Sequence, residues 1–505
     1  MLLTLLACAP TWDATLNRGR LVLGSEVRAG RALGPGEEPP EDAVALGDPC
    51  TGSWSSPGVS RIEIACDQPL WVELPKPAAR GRDLLLIVLD TTRPDHLTAA
   101  RTPRIHAHAQ GAWTADEVLS PSAWTVPSMV ALFTGQQPWE LLPEGSSWLS
   151  GQAITLADRL PDHKRMLVSA NPWVGPSSNL DQGFDRVLSV DDDGRAVEVA
   201  QAWWREETRA PRLLVVQLMT AHMPYLPKTQ VPGEPSPRVD NSFADLDGWP
   251  AWATAADKRR IGELYAAGVG ELDPSAGALL DLAGPDTVIA VVSDHGEELF
   301  EHGGFEHGHA LWPEVTRVHA AITGAELDPS PPRIGLHQVG QALQRALGLA
   351  VTGSKPLGPR VLLGHPLGPR SPIHRWALIS PEGALYYGAQ RTLLGDERTL
   401  DHQLSAAIES IEEIEFERRP WCEQAVVAGE PLRLPGEVGW PDWSPPGSWG
   451  PARFEGGELV VEPSRSGTWW LRDLREDCEL REDPPRQPDL AAEQQLRVLG
   501  YLESD

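Results

Sequence analysis

Four short, continuous apolar runs stand out along the chain: LLLIVL at 84–89, MLVSA at 166–170, LLVVQL at 213–218 and VIAVVS at 288–293. They do not alternate with polar residues, so they fit strands covered on both faces, as in a parallel sheet. Between them lie segments of helical character, RAVEVAQAWWREE at 195–207 and DKRRIGELYAAGVGELDPSAGALLDLAG at 257–284. The second is expected to bend at Pro274, because proline removes a ladder hydrogen bond. A further helix is expected in TVPSMVALFT, with Thr125 as N-cap, Pro127 in the first turn and Gly135 closing the end. Alternating strands and helices predict an α/β core with a mainly parallel sheet between helices.

The flanks read differently. Residues 9 to 80 are rich in Gly, Pro and Glu, with short strand-like pieces such as RLVLGS and SRIEIAC. From 355 onward the pattern turns to hairpin-like strands, RWALISPEGALYYG and GELVVEPSRSGTWWLRDL, with a charged helix-like stretch, DHQLSAAIESIEEIEFE, between them. The expected organisation is a small β-rich region at 9–80, a catalytic domain at 81–350 and a smaller α+β subdomain at 355–505.

Composition narrows the function. The chain has 505 residues and a net charge of −28. Such a balance argues against a nucleic-acid partner, since binding phosphate backbones needs a basic surface. It leaves room for a small anionic substrate, because one metal ion can reverse the sign inside a cleft. The first residues, MLLTLLACAP, are too short to span a bilayer. LLAC resembles the bacterial lipobox, which makes residues 1–8 a truncated lipoprotein signal and Cys8 the lipidated residue. Four cysteines then remain, and proximity suggests disulfides Cys50–Cys66 and Cys422–Cys478, in keeping with an oxidising compartment. The bland alternative is four buried thiols.

The chemistry gathers where the apolar runs end. In open α/β sheets functional groups collect beyond the carboxyl ends of the strands. After LLLIVL come Asp90, Thr91, Arg93, Asp95 and His96; after LLVVQL comes His222; after VIAVVS come Asp294 and His295, then His302, His307 and His309. Carboxylates from separate strands together with an imidazole make a divalent-metal site. A lone Asp at a strand end is more often a turn residue, so the weight lies in several strand ends carrying such groups at once. Arg93 reads either as an anion contact or as a salt bridge to Asp95.

These pieces resemble the sulfatase family of the alkaline phosphatase superfamily. LLLIVLDTTRPDHL, WTVPSMVALFTGQQP, LMTAHMPYLP, LYAAGVGELD, VVSDHGEELFEHGGFEHGHALWPEVTRV and the tail LRDLREDCELREDP…LRVLGYLE occur in family order. The resemblance implies an alkaline-phosphatase-like core and an enzyme acting on sulfate or phosphate esters. It places Thr125 at the nucleophile position, where sulfatases carry a Cys or Ser that becomes formylglycine. Threonine cannot form that aldehyde, because its β-carbon bears a methyl group. Met129 stands at the family's arginine, and no Lys-x-His follows in SANPWVGPSS. Relatives that use an unmodified threonine move phosphoryl groups, so a transferase joins the hydrolase as an expectation.

The mechanism implied has Asp90, Asp294 and His295 holding one divalent metal (Ca, Mn or Zn), with Thr91 a weak oxygen ligand at the place of a family aspartate. Thr125 is a further metal ligand and the nucleophile. His222 and His307 bind ester oxygens or protonate the leaving group, His307 taking the place of a family lysine. The substrate expected is an anionic ester on a glycan, lipid or small molecule. The expected location is the bacterial cell envelope, the chain being either lipid-anchored at the membrane or periplasmic/extracellular. The competing reading, motivated by Thr125 and Met129, is a catalytically inactive envelope binding protein.

Overall fold

The computed structural model describes residues 79–352 apart from 139–140, 143–148, 152 and 241–252. It also describes Lys76, residues 421–435 and further strands between 16 and 73 and between 360 and 481. The chain divides into two compact units, the larger holding 77–184, 189–418 and 488–505, the smaller 1–76, 185–188 and 419–487.

The larger unit is built on the expected apolar runs. They form β1 (Leu84–Leu89), β2 (Lys164–Ser169), β3 (Arg212–Leu218) and β4 (Val288–Ser293), joined by β5 (Ala320–Thr323). The order is β2-β3-β1-β4-β5. The first four are mutually parallel and β5 runs antiparallel to β4. All six residues of β1 are fully buried, as expected of the central strand of a sheet covered on both faces. Register brings the carboxyl ends level: Leu89 faces both Leu218 and Ser293, and Gln217 faces Ser169. The fold is thus mixed α/β with a mainly parallel central sheet.

The helices follow with corrections. α1 (Thr125–Thr134) ends at Gly135, whose φ of 74° is the left-handed conformation that favours glycine. Thr125 is not the N-cap, however. Trp124 occupies that position with no side-chain cap, and Thr125 is the first helical residue. The reason is that its hydroxyl is engaged away from its own helix, with His295 and Asn171. α2 (Asp193–Trp204) is capped by the Asp192 side chain. α3 (Ala255–Leu280) opens with a capping box between Thr254 and Asp257 and runs unbroken through Pro274. Buried Leu264, Val269, Leu272, Ala276 and Leu279 lie on both sides of the proline, so packing on both flanks keeps the helix continuous through it. α4 (Leu336–Ala346) packs on α1 so closely that a Cβ at Gly340 would stand 2.4 Å from the Leu132 carbonyl oxygen.

In the later chain, 374–380 and 383–388 pair antiparallel as expected. GELVV and TWWLR do not pair with each other. Strand 458–461 lies between 432–435 and 452–455, whereas 467–472 pairs with 421–426. Alternating apolar residues specify a strand but not its partner. Strand 20–23 pairs with 26–29. The SRIEIAC strand, the helix expected within 401–417, the lipoprotein signal at 1–8 and Cys8, Cys50, Cys66 and Cys478 lie outside the described residues. Cys422 lies in strand Trp421–Val426. Among the described residues no helix is long and apolar enough to cross a membrane.

The α1–α4 contact generates a first prediction. Gly340→Ala forces apart the helix that carries Thr125, and overpacking of this kind costs about 1–3 kcal/mol. Denaturant unfolding should show that loss. Unchanged stability would mean the two helices separate freely.

Candidate active site

Level strand ends set two carboxylates side by side. Asp90 follows β1, Asp294 follows β4, and both are fully buried. Asp90 Oδ2 accepts hydrogen bonds from Asn171 Nδ2 at 2.6 Å and Gln217 Nε2 at 2.8 Å. Its Oδ1 has no hydrogen-bond partner. Asp294 Oδ1 accepts from the backbone N–H groups of His295 at 2.8 Å and Thr91 at 3.2 Å. Burial pushes the Asp90 carboxyl up to about 6, with the Asp294 charge adding to the effect. Burial likewise raises Asp294 to about 7, against the lowering effect of its hydrogen bonds.

His295 completes the group. Its Nδ1–H donates to the Gly296 carbonyl at 3.0 Å, so Nε2 carries the ring's lone pair. That nitrogen lies 3.6 Å from Asp294 Oδ2 and 3.8 Å from Asp90 Oδ1. Burial holds this imidazole down to about 4, so it is neutral near pH 7. One ligand atom from each of Asp90, Asp294 and His295 lies within 4.8 Å of the others. Two carboxylate oxygens, one of them buried without a partner, and one lone-pair nitrogen suit a divalent cation. Thr91 is fully buried beside them and its Oγ1 also lacks a partner. Its φ of 49° is rare for a β-branched residue. The conformation is held by Tyr265, whose hydroxyl donates to the Thr91 carbonyl at 2.7 Å and accepts from Arg93 N–H at 3.0 Å.

Thr125 meets this group from the start of α1. Its Oγ1 lies 3.3 Å from His295 Nε2 and 3.3 Å from Asn171 Nδ2. The remaining expected residues, His222 and His307, form a row of imidazoles with His295. The His307 ring centroid is 4.4 Å from that of His295 and 5.0 Å from that of His222. His222 Nδ1–H donates to the Met223 carbonyl. His307 Nδ1 bonds Glu297 Oε1 at 2.9 Å, and Glu297 Oε2 accepts from Tyr225 at 2.8 Å. Burial lowers His222 to about 4 and His307 to about 3, and raises Glu297 to about 7.

Other expectations resolve differently. Arg93 pairs with Asp95 at 2.8 Å and Glu301 at 2.5 Å and donates to the Glu297 carbonyl, so it is an anchor between loops. Met129 is fully buried. His302 and His309 pair with Glu314 and Glu298. Sequence reasoning missed Asn171, Gln217, Glu297, Tyr225 and Tyr265. Gln217 did leave a signal, as the one polar residue inside LLVVQL.

Residues 174–326 match the sulfatase family model. That segment contains His222, Asp294, His295 and His307, and leaves Asp90, Thr91 and Thr125 outside it. No curated protein matches the chain by sequence. Among solved structures the chain is similar to BT4656, solved in complex with its substrate D-glucosamine-2-N,6-O-disulfate. The identity is 12%, the TM-score 0.52, and the match covers 66% of this chain and 97% of that one. It is also similar to BT1596, a 2-O GAG sulfatase, at 13% identity and TM-score 0.50, over 66% of this chain and 94% of that one. A candidate sulfatase of Bacteroides thetaiotaomicron VPI-5482 matches at 13% identity and TM-score 0.50, with the same coverage of 66% and 94%. The core therefore has the fold of these sulfatases.

The raised carboxyls predict how a divalent ion binds. With Asp90 near 6 and Asp294 near 7, both hold protons in acid, and an ion must displace them. His295 is already neutral above about 4 and releases nothing. Affinity should therefore rise with pH between about 5.5 and about 8, by up to about tenfold per unit for each proton released. Calorimetry in buffers of different ionisation heat should show the released protons. Affinity independent of pH over that window would contradict the assignment of these two carboxyls as ligands.

Proposed function

We propose that this sulfatase-like chain is a divalent-metal-dependent enzyme acting on sulfate or phosphate esters, with Thr125 as its nucleophile. The observation that carries the reading is the hydroxyl of Thr125. It lies buried at the first residue of α1, 3.3 Å from both His295 Nε2 and Asn171 Nδ2, beside the Asp90–Asp294 pair. A threonine hydroxyl is a weak nucleophile unless activated. Asp90, Asp294 and His295 would hold the ion, with Thr91 Oγ1 and the Thr125 hydroxyl as further oxygen donors. A bound divalent ion would lower the hydroxyl's pKa, as it does for water.

The chain's own residues supply the rest. Asn171 Nδ2 donates to Thr125 Oγ1 and orients it. The N–H groups opening α1 would favour negative charge on a group transferred to Thr125. As a bond forms between Oγ1 and the sulfur or phosphorus, the Thr125 hydroxyl gives up its proton, by way of water, to the Nε2 lone pair of His307 or His222. That imidazole passes the proton to the ester oxygen, which leaves with its electron pair. Water then cleaves the Thr125 ester and releases sulfate or phosphate; a second hydroxyl in its place makes the enzyme a transferase. No formylglycine is involved.

The substrate class is an anionic ester on a glycan, lipid or small molecule. The sulfated glucosamine bound by BT4656 is in keeping with a sugar ester. We place the protein in the cell envelope, anchored through Cys8, with disulfides Cys50–Cys66 and Cys422–Cys478. That reading rests on the LLAC motif and the cysteine spacing.

The test is an ester panel (sulfate, phosphomonoester, phosphodiester) with and without chelator. Thr125→Val should lower turnover by ~10³-fold or more while preserving shape, and Thr125→Ser should retain part of it. Chelator should abolish turnover of the best ester. A folded, metal-loaded Thr125→Val enzyme with wild-type turnover would overturn the nucleophile. Ester binding without any turnover would instead identify the inactive binding protein.

A further inference from the structure

The imidazoles of the site are tethered through the same ring atom but to different kinds of partner. His222 Nδ1 meets the Met223 carbonyl and His295 Nδ1 meets the Gly296 carbonyl. A carbonyl can only accept, so both rings carry their proton on Nδ1. His307 Nδ1 meets a side chain instead, Glu297 Oε1 at 2.9 Å. Glu297 is fully buried, and both of its oxygens are used. Oε2 accepts from the hydroxyl of Tyr225, three residues beyond His222. The backbone of Glu297 is fixed as well: its N–H donates to the Glu314 carbonyl at 3.0 Å, and its carbonyl accepts from Arg93 Nη1 at 3.2 Å. A rigid strand-end segment thus presents one carboxylate to the two chain segments that carry His222 and His307.

We propose that Glu297 is the positioning residue of this site. It holds the proton of His307 on Nδ1, so that Nε2 carries the lone pair, and through Tyr225 it fixes the segment that bears His222. A carboxylate in that place sets both the tautomer and the orientation of the imidazole. It also stabilises the imidazolium while Nε2 holds the proton given up by Thr125, before that proton passes to the leaving ester oxygen. The chemical half of this proposal rests on the Thr125-centred reading; the tautomer does not.

The test combines nitrogen NMR of histidine with steady-state kinetics on protein loaded with diamagnetic Ca²⁺ or Zn²⁺. The His307 resonances are assigned by their absence in His307→Asn. Wild type should show His307 protonated at Nδ1. Glu297→Gln, the same size but uncharged, should mix the tautomers. Its kcat should fall about 10²-fold or more while KM changes less than about threefold. Tyr225→Phe should leave the His307 tautomer intact and lower kcat less than Glu297→Gln does. Wild-type His307 protonated at Nε2, or a folded Glu297→Gln enzyme with wild-type kcat, would overturn the proposal. Should Glu297→Gln fail to fold, the wild-type tautomer and Tyr225→Phe still decide it. A wild type that turns over no ester would remove the Thr125 mechanism, and the tautomer measurement would then judge the role of Glu297 alone.

Discussion

Two carboxylates buried side by side are the constraint around which the larger unit is arranged. Asp90 and Asp294 end adjacent parallel strands and are fully removed from water. Like charges in a low-dielectric interior repel strongly, and each has lost its hydration. The structure answers with donors from separate elements: Asn171 after β2, Gln217 within β3, and the backbone N–H groups of Thr91 and His295. These lower the cost without cancelling it. A raised carboxyl pair and a neutral imidazole remain, a donor set that would suit a divalent cation.

The same unit brings the hydroxyl of Thr125 to the carboxylate pair. α1 is buried along its whole length and braced by α4, so its first residue is held against the sheet. Met129 keeps that helix apolar where the sulfatase resemblance expects a guanidinium. Under the proposed mechanism, anion stabilisation at Thr125 would fall to Asn171 and to the opening N–H groups of the helix rather than to a fixed charge.

The core of this arrangement was legible in the sequence for a physical reason. Strands covered on both faces must be continuously apolar, so LLLIVL and VIAVVS announced themselves residue for residue. The residues just past their ends, Asp90, Asp294 and His295, were then conspicuous. Thr125 was legible as the start of a helix, but its exact place was not, since cap and first helical residue differ by one step in where the backbone turns helical, extended at Trp124 and helical from Thr125. Asn171 and Glu297 were harder. Asn before Pro reads as a turn, and a Glu beside a second Glu reads as a solvated surface. What makes them structural is a partner far along the chain, which local pattern does not encode. The pairing of 458–461 and 467–472 with different strands was hidden for the same reason.

The central position of β1 has a consequence for how the chain is made. β1 pairs with β3 on one side and β4 on the other, and both are synthesised long after it. Thr91 and Asp294, which share a hydrogen bond in the finished site, are 203 residues apart. During translation the most apolar segment of the core therefore emerges early and waits longest for its neighbours. Such a segment is the natural target of a chaperone and the first place where aggregation would start. The carboxylate that follows it, Asp90, then has a use in the nascent chain: while β1 waits, it keeps one end of that strand in water.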